Sequence, residues 1–166
     1  GTYNLVEHTL RDSVPDEEVE NADAPFAPFE DAVAGVWERI QIRKEKKAAD
    51  IFFNAATWGD NVETLSGGDQ WDDYENSDPF IPIFDAKSSV QAKSLRKPNL
   101  IIMGQQVFEK LVNHPKIIER TKYTSSASIT AEILARLFEV AEVRIGTASE
   151  NQANEGQEDE LAYIWG

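Results

Sequence analysis

Four carboxylates fall inside the stretch Trp71-Asp72-Asp73-Tyr74-Glu75-Asn76-Ser77-Asp78. Clustered carboxylates can hold Mg²⁺ or divide the work of acid and base. Used in that way, Asp72, Asp73, Glu75 and Asp78 would make the chain a metal-dependent hydrolase. Such a site needs ligands converging from several elements, and nothing in the sequence identifies the others. The spacing also lacks the glycine and terminal glutamate of a calcium loop. The same residues suit a turn that anchors an interface, because aromatic side chains concentrate where subunits meet. On that reading Trp71, Asp72, Asp73 and Tyr74 are contact residues. An adaptor that binds a different protein through this acidic aromatic loop is the third reading.

Other chemistry is sparsely supplied. Gly104 stands between a short apolar run and a helical pattern, where backbone N–H groups could meet a phosphate. One glycine is no fingerprint, and no Lys-Ser/Thr phosphate loop exists. His8 has no convergent partner. His114 precedes Pro115 at a helix stop and reads as a capping or surface residue. No serine sits in a nucleophile elbow. Asp16-Glu17-Glu18 follows Pro15 and reads as a solvated first turn of a helix, where acidic side chains meet the positive helix end. The chain has no cysteine, which excludes disulfides and thiolate metal sites. The expectation is no catalytic residue, no bound metal and no cofactor.

The elements that must position these residues are organised around 98–124. Leu100 to Met103 is a short apolar run, read as a fully buried strand. Gly104 breaks it. Val107, Phe108 and Leu111 then follow at helical spacing. Asn113-His114-Pro115 stops that helix, since the residue before proline avoids helical geometry. Ile117-Ile118 begin a second turn, and 116–124 reads as a basic arm directed toward neighbours.

Upstream, 2–9 alternates roughly and reads as a strand. Residues 28–54 carry the longest helical signal, with Phe29, Val33, Val36-Trp37, Ile40 and Ile51-Phe52 tracing one stripe. Lys44 and Lys47 interrupt the stripe, and their stems can cover apolar surface. At 1.5 Å per residue this helix runs about 40 Å, so it reads as a spine. Its middle is basic, with Arg39, Arg43, Lys44, Lys46 and Lys47. Such a face can dock on acidic neighbours and set register. Residues 55–78 read as a connection. Residues 79–96 read as a helix capped by Asp78, with Ile83, Ala86 and Val90 inward. Residues 129–138 are amphipathic, with Ser128 or Thr130 as cap. Residues 140–148 read as a strand, 149–160 as an acidic loop and 161–165 as a last strand.

The whole sequence has 166 residues and a formal net charge of -14. That is room for one domain or two small lobes. The charge repels nucleic-acid phosphates and excludes a free-standing DNA binder. No apolar run approaches the ~20 residues that a membrane helix needs. The chain starts at Gly1 and its one methionine is Met103, which reads as an internal piece of a longer protein.

Several segments, taken in order, resemble the major capsid proteins of tailed bacteriophages with the Hong Kong 97-type fold. They are Leu10-Arg11-Asp12 to Asn21-Ala22-Asp23, the long helix with Arg43-Lys44-Glu45 and Ala48-Ala49-Asp50, and Leu65-Ser66-Gly67-Gly68-Asp69-Gln70-Trp71. Asn76-Ser77-Asp78-Pro79, His114-Pro115-Lys116-Ile117 to Lys122-Tyr123-Thr124 and Tyr163-Ile164-Trp165-Gly166 follow. The resemblance implies an α+β fold in two lobes. Residues 1–60 would be a peripheral-domain portion with the spine helix, 61–78 a connection and 79–166 an axial-domain portion. It also implies self-association into hexamers and pentamers of a head shell, with scaffold and portal proteins as further partners. DNA would be enclosed without sequence-specific binding, and no membrane is involved. The shell would be the virion capsid, assembled in the host bacterial cytoplasm, and the protein would not be an enzyme. The expected interface residues are Arg39, Arg43, Lys46, Trp58, Trp71, Asp72, Asp73, Tyr74, Arg120 and Lys122.

Overall fold

Apolar periodicity and punctuation by proline and glycine decide the elements. The computed structural model describes residues 7–122, 128–154 and 156–165. The chain divides into two compact units, Gly1–Asp50 and Ile51–Gly166. The expected strand at 2–9 falls largely on residues 1–6, outside the described residues, and residues 7–9 take no regular structure.

In the first unit, Pro15 precedes α1 (Asp16–Asn21), whose first turn holds Asp16, Glu17 and Glu18. Helix α2 (Pro28–Phe52) begins on its proline and has Glu30 and Asp31 in its first turn, as the helix dipole favours. Ala49 is its one buried residue. The expected apolar stripe is largely open: Phe29, Val33 and Trp37 are 68%, 54% and 63% exposed. Arg39 forms an ion pair with Asp12 at 3.6 Å.

The second unit holds the core. Short α3 (Ala55–Trp58) is capped by Asn54, whose side chain accepts from the Ala56 N–H. A single 3-10 turn follows at Gly67–Asp69. Helix α4 (Phe80–Ser94) buries Phe80 and Ile83. Ala86 and Val90, expected inward, are exposed, because the second half of α4 runs past the packed cluster. Strand β1 (Leu100–Gly104) leads into α5 (Gln105–Val112) and α6 (Pro115–Thr121). Helix α7 (Ala131–Leu137) has Thr130 at its N-cap without a side-chain capping bond.

Strand β2 (Glu142–Gly146) pairs with β1 in parallel, Ile101 opposite Val143 and Met103 opposite Ile145. A parallel pair needs a crossover, and α5, α6 and α7 supply it. Strand β1 is half-buried, not fully buried as its apolar run suggested: only Met103 and Gly104 are closed off. The acidic stretch after β2 is not all loop. Strand β3 (Ser149–Asn151) pairs antiparallel with β4 (Leu161–Tyr163).

Phe80, Ile83, Met103, Leu111, Ile117, Leu134, Ala135, Phe138 and Val143 form one buried cluster. Burial of apolar surface is favourable by ~25 cal/mol per Å², and this cluster gathers most of the buried apolar residues described in the chain. Helix α6 belongs to it, with Ile117 fully buried and Thr121 nearly so. The described part of the expected arm, 116–122, thus turns one face to the core through Ile117 and Thr121 and leaves Ile118, Glu119, Arg120 and Lys122 exposed.

Candidate functional site

The acidic aromatic loop 71–78 folds onto itself before it meets anything else. Asp73 Oδ1 accepts from the N–H groups of Glu75 and Asn76, both at 3.2 Å. Asn76 Nδ2 donates to both Asp73 oxygens, at 3.1 and 2.9 Å. Side-chain and backbone donors on Asn76 hold the Asp73 carboxyl below its usual range; burial opposes them and the Glu75 N–H adds to them. The Ser77 N–H and Oγ both donate to the Asp73 carbonyl, at 3.0 and 2.6 Å.

The loop is then latched to the α5–α6 corner. Ser77 Oγ lies 2.9 Å from His114 Nε2. His114 caps α6, its Nδ1 accepting from the Lys116 N–H at 3.2 Å. An acceptor Nδ1 places the imidazole proton on Nε2, which donates to Ser77. Burial lowers the His114 pKa; the Asp78 charge raises it and that of Lys116 lowers it, with a net fall. Tyr74 stands edge-on to His114, centroids 5.6 Å apart, and its hydroxyl donates to the Lys110 carbonyl at 3.4 Å. Asp78 Oδ1 accepts from the Phe80 N–H and Oδ2 from Lys116 Nζ, each at 3.0 Å. Burial pushes the Asp78 carboxyl up. The Lys116 and Phe80 donors and the charges of Lys116 and Arg120 outweigh it, so its pKa falls.

This geometry decides what the loop can do. A serine nucleophile needs an imidazole nitrogen free to accept its proton. Here Nε2 carries the proton, Ser77 gives its own to a carbonyl, and Ser77 is 1% exposed. Among the described residues no group of three or more His, Cys, Asp or Glu could hold a metal ion. The expected hydrolytic set is divided: Asp73 closes its own turn, Asp78 caps α4 and binds Lys116, and Asp72 and Glu75 stay exposed.

The expected interface residues are scattered. Trp71 is half-buried and packs against the core cluster, so it is no exposed anchor. Its Nε1 is buried without an acceptor among the described residues. Trp58 is partly exposed, its Nε1 donating to the Phe52 carbonyl at 2.8 Å. Arg120, placed on the expected arm, lies over the Phe80 ring at 3.6 Å. Lys122 is exposed at the α6 C-cap. Arg39, Arg43 and Lys46 are all exposed on α2. Sequence reasoning passed over His114 as a latch. The Asn-His-Pro stop gave a capping signal, but its partner Ser77 lies in another segment.

Residues 38–162 match the family model described as Phage major capsid protein E. The chain is 31% identical to the major capsid protein of Burkholderia phage BcepMu, across 100% of this chain and 53% of that protein. It is 30% identical to the major capsid protein of Pseudomonas phage JBD67, across 99% of this chain and 53% of that protein. It therefore spans about half the length of these curated relatives. A crystal structure of a phage-related protein from Bordetella bronchiseptica RB50 superposes with a TM-score of 0.74 at 28% identity, covering 90% of this chain and 50% of that one. By the match over residues 38–162, the chain belongs to the phage major capsid protein E family.

Proposed function

We propose that the chain is a structural part of a tailed-phage coat protein, working by self-association and not by catalysis. The observation that carries this reading is the likeness to two major capsid proteins along essentially the whole chain. The fold is of the Hong Kong 97 type. Residues 1–60 form a peripheral portion with α2 as its spine, 61–78 a connection and 79–166 an axial portion. Subunits join as hexamers and pentamers of an icosahedral shell, through heterologous contacts that close into rings. The shell encloses DNA without reading it. Scaffold and portal proteins are its further partners, and assembly takes place in the host bacterial cytoplasm.

The open stripe on α2 supports the reading. An apolar helix face left in water is a contact surface in waiting, and Arg43 and Lys46 beside it can set its register. Trp58, Asp72, Tyr74 and Lys122 remain exposed enough to serve as contacts. The test is electron microscopy of the protein at the full length of its relatives, expressed in bacteria. Shells or capsomer rings are expected. In the double variant Arg43→Glu, Lys46→Glu the circular-dichroism spectrum is retained and particle yield falls at least tenfold. Monomers alone from the unaltered protein would end the reading.

A further inference from the structure

Leu95, the C-cap of α4, is 88% exposed, more than any other large apolar side chain among the described residues. It is also held in the left-handed region, at φ 57. Glu139 is the one other described non-glycine residue with positive φ, and its carboxylate pairs with Lys87 at 3.7 Å. The Leu95 side chain has no such use within the subunit. The corner around it is tied on both sides. Its N–H donates to the Gln91 carbonyl at 2.9 Å. Ser94 Oγ donates to the Val90 carbonyl at 2.6 Å and accepts from the Arg96 N–H at 3.2 Å. Glycine takes this conformation freely, so the leucine costs backbone energy with no return in the subunit's own packing. Strain of that kind gathers at functional surfaces. Arg96 and Lys97 follow directly, both exposed. The corner is an apolar knob with two cations beside it.

A matching recess lies in the same unit, past the other end of β1. A pocket of about 330 Å³ is lined by Leu65, Gln70, Trp71, Asp72, Val107 and Lys110. Leu65, Trp71 and Val107 are half-buried and make its apolar floor, while the other three are exposed at its rim. Asp69 and Glu75, also exposed, flank Asp72 along the chain, so carboxylates outnumber the one cation, Lys110. The Asn99 carbonyl accepts from the Ala141 and Glu142 N–H groups, which fixes the knob's side at the start of β1. Val107 and Lys110 follow the end of β1 on α5. The strand, about 17 Å long at 3.3 Å per residue, stands between them. We propose that the Leu95 corner of one copy seats in this pocket of a second copy, with Leu95 on the apolar floor and Arg96 and Lys97 against Asp72 and Glu75. Charge favours a second copy as the occupant. A chain of net charge -14 repels its own kind over most of its surface, and here its cations meet its carboxylates. Knob and pocket are different patches, so the contact is heterologous and repeats head to tail, closing into a ring where the rotation permits. The inference rests on the self-association reading and supplies one contact for it.

The test uses the protein at the full length of its relatives. Leu95→Gly removes the knob and the strain together. Its subunit Tm is expected to be unchanged or raised, while the yield of rings and shells falls at least tenfold. Leu95→Cys combined with Leu65→Cys, in assembled particles after mild oxidation, is expected to give a ladder from dimers to hexamers on a non-reducing gel. Neither single substitution is expected to do so. If the Tm of Leu95→Gly falls, the ladder alone decides. Unchanged particle yield in Leu95→Gly, or rings and shells without a ladder, overturns the proposal and leaves the coat-protein reading standing. A cross-link confined to one chain overturns it too, by giving the pocket to the subunit's own corner. Monomers alone from the unaltered protein end both.

Discussion

Protonating His114 would turn its Nδ1 from an acceptor into a donor facing the Lys116 N–H. The folded chain resists this, because burial holds the imidazole pKa down. In the unfolded chain the imidazole takes up a proton below about 6.5. As pH falls through that value the unfolded state binds protons that the folded state does not, so stability falls. The contribution is complete above 6.5, and the loss levels off below the folded pKa. Urea unfolding midpoints taken from pH 8 to pH 5 are expected to decline. In His114→Asn, whose side chain can still cap α6, that decline is lost while the midpoint at pH 8 drops. Asp78, whose pKa is lowered on folding, adds a second loss below about 3.9, where the unfolded carboxyl takes its proton first. A flat midpoint for the unaltered chain across pH 8 to 5 would show that the latch does not hold His114 neutral.

At the scale of elements, α4 ends on a residue that suits the position poorly. Leu95 is its C-cap with φ 57, in the left-handed region, donating its N–H to the Gln91 carbonyl at 2.9 Å. Its side chain is 88% exposed. A left-handed conformation costs a non-glycine residue about 1–2 kcal/mol, and glycine is the usual choice there. Leu95→Gly is expected to raise stability by about 1 kcal/mol in thermal melts, and a fall in Tm would count against the backbone account. The elements themselves were largely legible. The 3.6-residue period marked α2, α5 and α7, and proline marked the starts of α2 and α6. Of the β3–β4 hairpin, β4 was legible as the expected last strand at 161–165, and β3 was not, because it is three residues long and polar Ser149-Glu150-Asn151 carries no alternation of apolar side chains. The latch was equally hidden: Tyr74, Ser77 and Asp78 find Lys110, His114 and Lys116 some 36 to 38 positions away, beyond any local period. For the same reason the packing of Trp71 against the core cluster and of Arg120 over the Phe80 ring was not legible.

Over the whole molecule, two observations oppose each other. The second unit has a buried core, while α2 of the first carries Phe29, Val33 and Trp37 into water on a chain of net charge -14. Net repulsion keeps such chains apart until matching surfaces meet. The parallel pairing of β1 with β2 has a further consequence, in time. Strand β2 is synthesised about 40 residues after β1, which at ~5–20 residues per second is roughly 2–8 s. Throughout that interval Leu100-Ile101-Ile102-Met103 is a nascent strand with neither edge paired, the kind of segment that invites aggregation or chaperone capture. Ribosome-bound chains that stop before Glu142 are expected to be cleaved by protease within β1, and chains that extend past Gly146 to be protected there. Protection in the shorter chains would mean that the helices of the crossover shelter β1 before its partner exists.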